Sequence, residues 1–227
     1  MKRSLFFTIV MLIFSSMMGQ KGAPSLNLMP TFKGERLLFE QAYAYGGDSV
    51  VFSKLRFYIS EITLWANGEE VWAEKKSYHL LDLAEPNSLV IGLKAGLQFD
   101  EIRFQLGIDS ATNVSGAMGG DLDPTKGMYW SWNTGYINFK LEGKSPLASS
   151  PKQRFVYHLG GYLPPFASVQ KVQLACEPQA EILLGLDLYP FLQAVELGEQ
   201  PLLMSPGEQC VQLSATVASL FKIIADE

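Results

Sequence analysis

One segment constrains the fold of this chain more than any other: residues 119–143, GGDLDPTKGMYWSWNTGYINFKLEG. Its first half, with Asp123-Pro124 set among Gly119, Gly120 and Gly127, reads as a loop, since proline fixes φ and glycine admits the positive φ that tight turns need. From Met128 the residues alternate. Met128, Trp130 and Trp132 point one way and Tyr129, Ser131 and Asn133 the other, a period of two that belongs to a strand. After Thr134-Gly135 the alternation resumes, with Tyr136, Asn138 and Lys140 opposite Ile137, Phe139 and Leu141, and Gly143 closes it. Two of the four tryptophans therefore share a strand face, and burial in a sheet core accounts for them whether or not anything binds there.

Similar alternation, punctuated by turn residues, recurs along the chain. Residues 35–39 and 49–65 predict a strand pair around Tyr45-Gly46-Gly47-Asp48. Within the second, Leu55, Phe57 and Ile59 and then Ile62 and Leu64 alternate across a slip at Ser60-Glu61, which a β-bulge explains. Asn67-Gly68 predicts a hairpin turn into a strand opened by Val71 and Trp72. Further strands are expected at 77–83, 90–93, 101–108, 154–159 and 169–176, and the continuous apolar run at 181–188 suits a strand buried on both faces. Short helices are expected at 189–197 and at 215–225, the latter with Leu220, Phe221 and Ile224 inward. The sum is an all-β chain, an antiparallel β-sandwich with short helical segments near the C-terminus.

Residues 1–19 carry Lys2 and Arg3, an apolar run from Leu5 to Phe14 and small residues after it, the pattern of a secretory signal peptide, with Ala23 offering a second exit. The run is too short to span a bilayer, and no cysteine follows it to carry a lipid. Residues 20–227 are then expected to form a single domain, exported to the periplasm or the cell surface. Without Lys2 and Arg3 the net charge falls from −5 to about −7, which argues against nucleic acid or an anionic membrane as the main partner. Cys176 and Cys210 are the only cysteines, and an oxidising compartment makes a disulfide between them the default; copper ligation by the two thiolates is the sharper alternative.

Candidate chemistry is sparse. His79 and His158 are the only histidines, both on expected strands; imidazole suits copper and zinc, and a thioether such as Met128 suits reduced copper. Asp109, Asp121 and Asp123 lie in a long glycine-bearing loop and could offer oxygen ligands to calcium, although their spacing is not that of an EF-hand. No GxSxG elbow, HExxH helix or P-loop is present, and neither histidine has a nucleophile in a recognisable pattern, so an enzyme is not expected.

The segment MYWSWNTGYINFKLEG (128–143), with FSKLRFYISEITLW (52–65), YHLLDL (78–83), FDEIRFQLGID (99–109), GDLDPTKGM and FVYHLGGY (155–162), resembles blocks of the MbnP-like family of exported proteins in the same order, covering most of the mature chain. The resemblance implies a β-sandwich and a mononuclear copper site of histidines and a tryptophan oxidised to kynurenine by a dihaem cytochrome c peroxidase-like partner, serving copper acquisition or buffering. Carried over, the modified residue is Trp130 or Trp132, His158 is the better-placed ligand and His79 the other. Indole offers a metal no lone pair, whereas the ring-opened product exposes an amine and a carbonyl. The alternative is a structural or surface-interaction module with the same fold and no metal.

Overall fold

The computed structural model describes residues 23–131 and 135–224; the expected leader at 1–19 and Trp132 lie outside them. Strand β1 (Ser25–Phe32) buries Leu26, Leu28, Pro30 and Phe32 in strict alternation, and the short β2 (Glu35–Arg36) folds back on it. Next, β3 (Ala42–Tyr45) makes a hairpin with β4 (Asp48–Ala66) across Gly46-Gly47. The turn falls where the sequence puts it. The strand before it does not, because Glu35 and Arg36 are already paired with β1.

Strand β4 is the spine of the molecule. Its slip is real: Glu61 has φ +50°, and the pairing register shifts between Ser60 and Thr63. Strands β5 (Glu69–Ala73), β6 (Tyr78–Asp82), β7 (Val90–Gly92) and β8 (Glu101–Leu106) follow, then helix α1 (Ser110–Val114), β9 (Tyr129–Trp130), β10 (Gly135–Lys144), β11 (Arg154–Gly160), β12 (Gln170–Ala175), β13 (Glu181–Asp187), α2 (Tyr189–Ala194), β14 (Leu202–Leu203), α3 (Glu208–Ser219) and β15 (Phe221–Ile224). The large sheet runs β12-β8-β4-β10-β11-β14, with β3, β5 and β6 also paired to β4 and β9 to β10. The small sheet runs β15-β13-β1, with β2 and β7 both on β1.

The two sheets face each other across one apolar core, in which Leu26, Phe32, Leu184 and Phe221 of the small sheet join Phe52, Phe57, Ile59, Phe139 and Tyr157 of the large one. The sandwich is mixed rather than purely antiparallel, since β13 runs parallel to β1 and β14 parallel to β11. Flanked by β1 and β15, β13 is the near-continuous apolar strand its sequence announced. The C-terminus departs from expectation: α3 begins at Glu208, burying Cys210, Leu213, Ser214 and Val217 at helical spacing, and ends at Ser219. Residues 221–224 instead complete the free edge of β13, which offers this apolar run a backbone ladder as well as burial.

Strand β10 also corrects the sequence reading. A register shift between Ile137 and Phe139 inserts an extra residue, so Phe139 and Leu141 face the main core while Ile137 joins Tyr136 in a second cluster. That cluster holds Tyr58, Leu80, Ile108, Leu122, Met128 and Trp130 as well. Tyr58 alternates with Phe57 and Ile59, so the second cluster lies on the outer face of the large sheet. Met128 and Trp130 share it, as their spacing requires.

Candidate functional site

Residues 109–130 cover part of the outer face of the large sheet, and the cover is latched by specific bonds. Asp109 caps α1 by accepting the Thr112 N–H at 2.8 Å, and the Tyr78 hydroxyl lies 2.7 Å from Thr112 Oγ1. Buried Asn113 donates to Ile108 O (2.9 Å) and Asp109 O (3.0 Å) and accepts the Tyr136 N–H (2.8 Å). Further along, the Tyr58 hydroxyl donates to Asp121 O at 2.9 Å and the Tyr136 hydroxyl to Leu122 O at 3.0 Å. Arg56 Nη1 donates to Lys126 O at 2.8 Å, and Lys140 Nζ to Gly127 O.

Beyond this cover the face is charged. Cross-strand register sets Asp82 of β6, Arg56 of β4, Lys140 of β10 and His158 of β11 in one row. Arg56 Nε meets Asp82 Oδ2 at 2.7 Å. Glu142, two residues along β10 from Lys140, accepts from Lys54 Nζ at 3.4 Å and lies 2.9 Å from His158 Nε2. The hydrogen bond from His158, helped by Lys54 and Lys140, holds the Glu142 carboxyl down to about 2. Burial pulls the His158 imidazole below its ordinary value against the pull of Glu142, and burial likewise brings the Lys140 ammonium down to about 8.

The sign of the Glu142 effect gives a first prediction. Its folded pKa lies below the unfolded value of about 4.3, so ionised Glu142 stabilises the fold above that value and the contribution is lost as pH falls toward 2. Urea midpoints should show wild type well above Glu142→Gln at pH 6, with the gap narrowing below about pH 4. A constant gap would mean that the Glu142–His158 contact adds no pH-dependent stability.

The expected ligands are only partly brought together. His158 and Gly160 share a face of β11, and the Trp130 indole sits over Gly160, where a Cβ would lie 2.8 Å from its ring. Only glycine allows that approach. His79 is elsewhere. It pairs with Ile59, which faces the main core, whereas His158 shares the row of Arg56; the two residues therefore sit on opposite faces, three strand spacings (about 14 Å) apart across the sheet and a further three residues (about 10 Å) apart along it. His79 Nε2 lies 2.8 Å from Glu74 Oε2, an oxygen that also accepts from Ser77 Oγ. Met128 is fully buried.

The acidic loop does not converge either. Asp109 caps α1, Asp123 accepts the Thr125 N–H at 2.8 Å and its hydroxyl at 2.7 Å, and Asp121 pairs with Lys126 at 2.6 Å while satisfying the Leu80 N–H of β6 at 3.0 Å. Each carboxylate is engaged in local structure, so the calcium expectation finds no shared site. Among the described residues no group of three or more His, Cys, Asp or Glu is placed to hold a metal ion. The cysteines, expected to pair, are both free and buried. Cys210 Sγ donates to Gly160 O and accepts from Gly160 N, each at 3.1 Å, whereas Cys176 follows β12, with its Sγ directed to Glu177 O at 3.6 Å. Burial pushes the Cys176 thiol up to about 11 and raises that of Cys210, and the two sulfurs are engaged by different stretches of backbone.

Sequence reasoning missed the residues that organise this face: Arg56, Lys140, Glu142 and Asn113. Lys140 and Glu142 could have been found, since two charges at i and i+2, alternating with Phe139 and Leu141, mark a face with its own partners.

The molecule is thus a β-sandwich whose larger sheet carries a second, loop-covered cluster and a charged row on its outer side. The MbnP family model matches residues 21–210, and the chain belongs to the MbnP family. The fold is similar to that of MbnP from Methylosinus trichosporium, with a TM-score of 0.57 at 14% identity over 78% of this chain and 79% of that one. No curated protein matches the sequence. Among the described residues no helix is long and apolar enough to cross a membrane.

Proposed function

We propose that this chain is an exported copper-binding protein, a carrier or buffer rather than an enzyme, with its site on the outer face of the large sheet at His158. Family membership supports copper as the cargo. The observation that carries the reading is the juxtaposition on β11: His158 engages Glu142 through Nε2, and the Trp130 indole covers Gly160 two residues along the same face. A carboxylate on one ring nitrogen fixes the tautomer and leaves Nδ1 with the lone pair, the arrangement usual for metal-bound histidine. Trp130 has no lone pair to give as indole and joins the donor set as kynurenine, formed by a dihaem oxidising partner. Trp132 remains the alternative residue for that modification.

His79 has no part in this site. Copper titration of the protein from its exporting host tests the division: His158→Ala should abolish binding and His79→Ala should leave stoichiometry and affinity unchanged. Equal loss in both variants would overturn the assignment. The second reading is an interaction module without metal, favoured by the depth at which Met128 and Trp130 are packed. Intact tryptophan masses with no copper uptake by wild type would select it.

A further inference from the structure

We infer that Met204 is a soft ligand beside His158, so that the two residues form a nitrogen–thioether site for a monovalent soft cation, Cu(I). The inference rests on the copper reading above and supplies the sulfur donor that the sequence sought in Met128.

Register carries it. Strand β14 runs parallel to β11, pairing Val156 with Leu202 and Tyr157 with Leu203. Met204 directly follows β14, and the same register carried one residue on would set it beside His158 on the outer face, since side chains alternate along a strand. The cavity agrees: a space of about 400 Å³ is lined by Val156, His158, Leu202, Met204, Glu142 and Arg154, among others. Met204 is 46% exposed, so its thioether is open to a cation, whereas Met128 is shut inside the second cluster.

The charge around the cavity selects the kind of ion. Glu142 is already matched by Lys54 at 3.4 Å, and Arg154 adds a second positive charge to the wall. A hard divalent cation, held by oxygen and charge, finds no net negative field there. A soft monovalent ion bound by imidazole nitrogen and thioether sulfur relies on donor softness instead.

The test uses the full mature protein, Cu(I) under anaerobic competition with a colorimetric chelator, and Ag(I) as a redox-inert probe. Wild type should show a metal–sulfur distance by X-ray absorption and a shifted Met204 methyl resonance on Ag(I) addition. Met204→Leu, an exposed substitution that should melt like wild type, should lose both signals. Its affinity should fall at least about tenfold, since even an outer-shell partner of a metal ligand is worth 10- to 100-fold. Met118→Leu, which removes the other exposed methionine among the described residues, should change nothing. A Met204→Leu protein that keeps the sulfur signal and the wild-type affinity, while His158→Ala loses binding, would overturn this inference alone. Absence of Cu(I) and Ag(I) uptake by wild type would overturn the copper reading with it.

Discussion

Replacing Phe57 by alanine is expected to cost about 3–5 kcal/mol, the range for deleting a buried aromatic ring from a core that cannot collapse around the loss. Phe57 sits midway along β4 and is fully buried. Its ring lies 6.0 Å from that of Phe139 on the neighbouring strand and 5.7 Å from that of Phe221, which belongs to the opposite sheet and lies 5.4 Å from Phe104 in turn. One ring thus joins the spine strand to its neighbour in the same sheet and to the opposite sheet. At roughly 2–4 °C per kcal/mol for a chain of this size, the melting temperature should fall by about 6–20 °C. Calorimetry and urea unfolding would measure it. A loss under about 1 kcal/mol would mean that the sheets are held together chiefly away from this stack, for instance around Phe32, Tyr43 and Phe52.

Phe57 was also legible in advance, and the reason is physical. Burial on one face of a strand imposes a period of two, and Leu55, Phe57 and Ile59 carry that signal without ambiguity. So did the Asn67-Gly68 hairpin and the bulge at Glu61, where a single slip in the alternation marks the extra residue. What could not be read was pairing. Nothing in the apolar run at 221–224 distinguishes the end of a helix from an edge strand until β13 is seen to lack a partner there. The same holds for the candidate site. The sequence named both histidines and the tryptophan, but the parity of register decides which can meet, and register is a property of two strands at once. Ile59 opposite His79 and Lys140 opposite His158 separate the two imidazoles, and no reading of either strand alone contains that fact. Met204 was invisible for the same reason, since only the parallel pairing of β14 with β11 brings it to His158.

The cover over the outer face makes the second large prediction. Asn113→Ala is expected to release residues 109–130 at a local cost of about 2–4 kcal/mol, because it leaves the buried Tyr136 N–H without its acceptor and removes two further hydrogen bonds. Those bonds are the Asn113 donations to Ile108 O and Asp109 O, at 2.9 and 3.0 Å. The lost contacts all lie on the outer side of the sheet, away from the core between the sheets, so opening of the cover should be separable from global unfolding. Emission from Trp130 should shift to longer wavelength as its cluster is wetted, and proteolysis should begin at the glycine-bearing stretch 115–127, both at temperatures where the sandwich is intact. Asn113→Asp keeps an acceptor for Tyr136 and should recover part of the protection. If instead cleavage of the cover and global melting move together, the second cluster is integral to the sandwich. Access to the face beside His158 would then be set by side chains alone, with no contribution from opening of the cover.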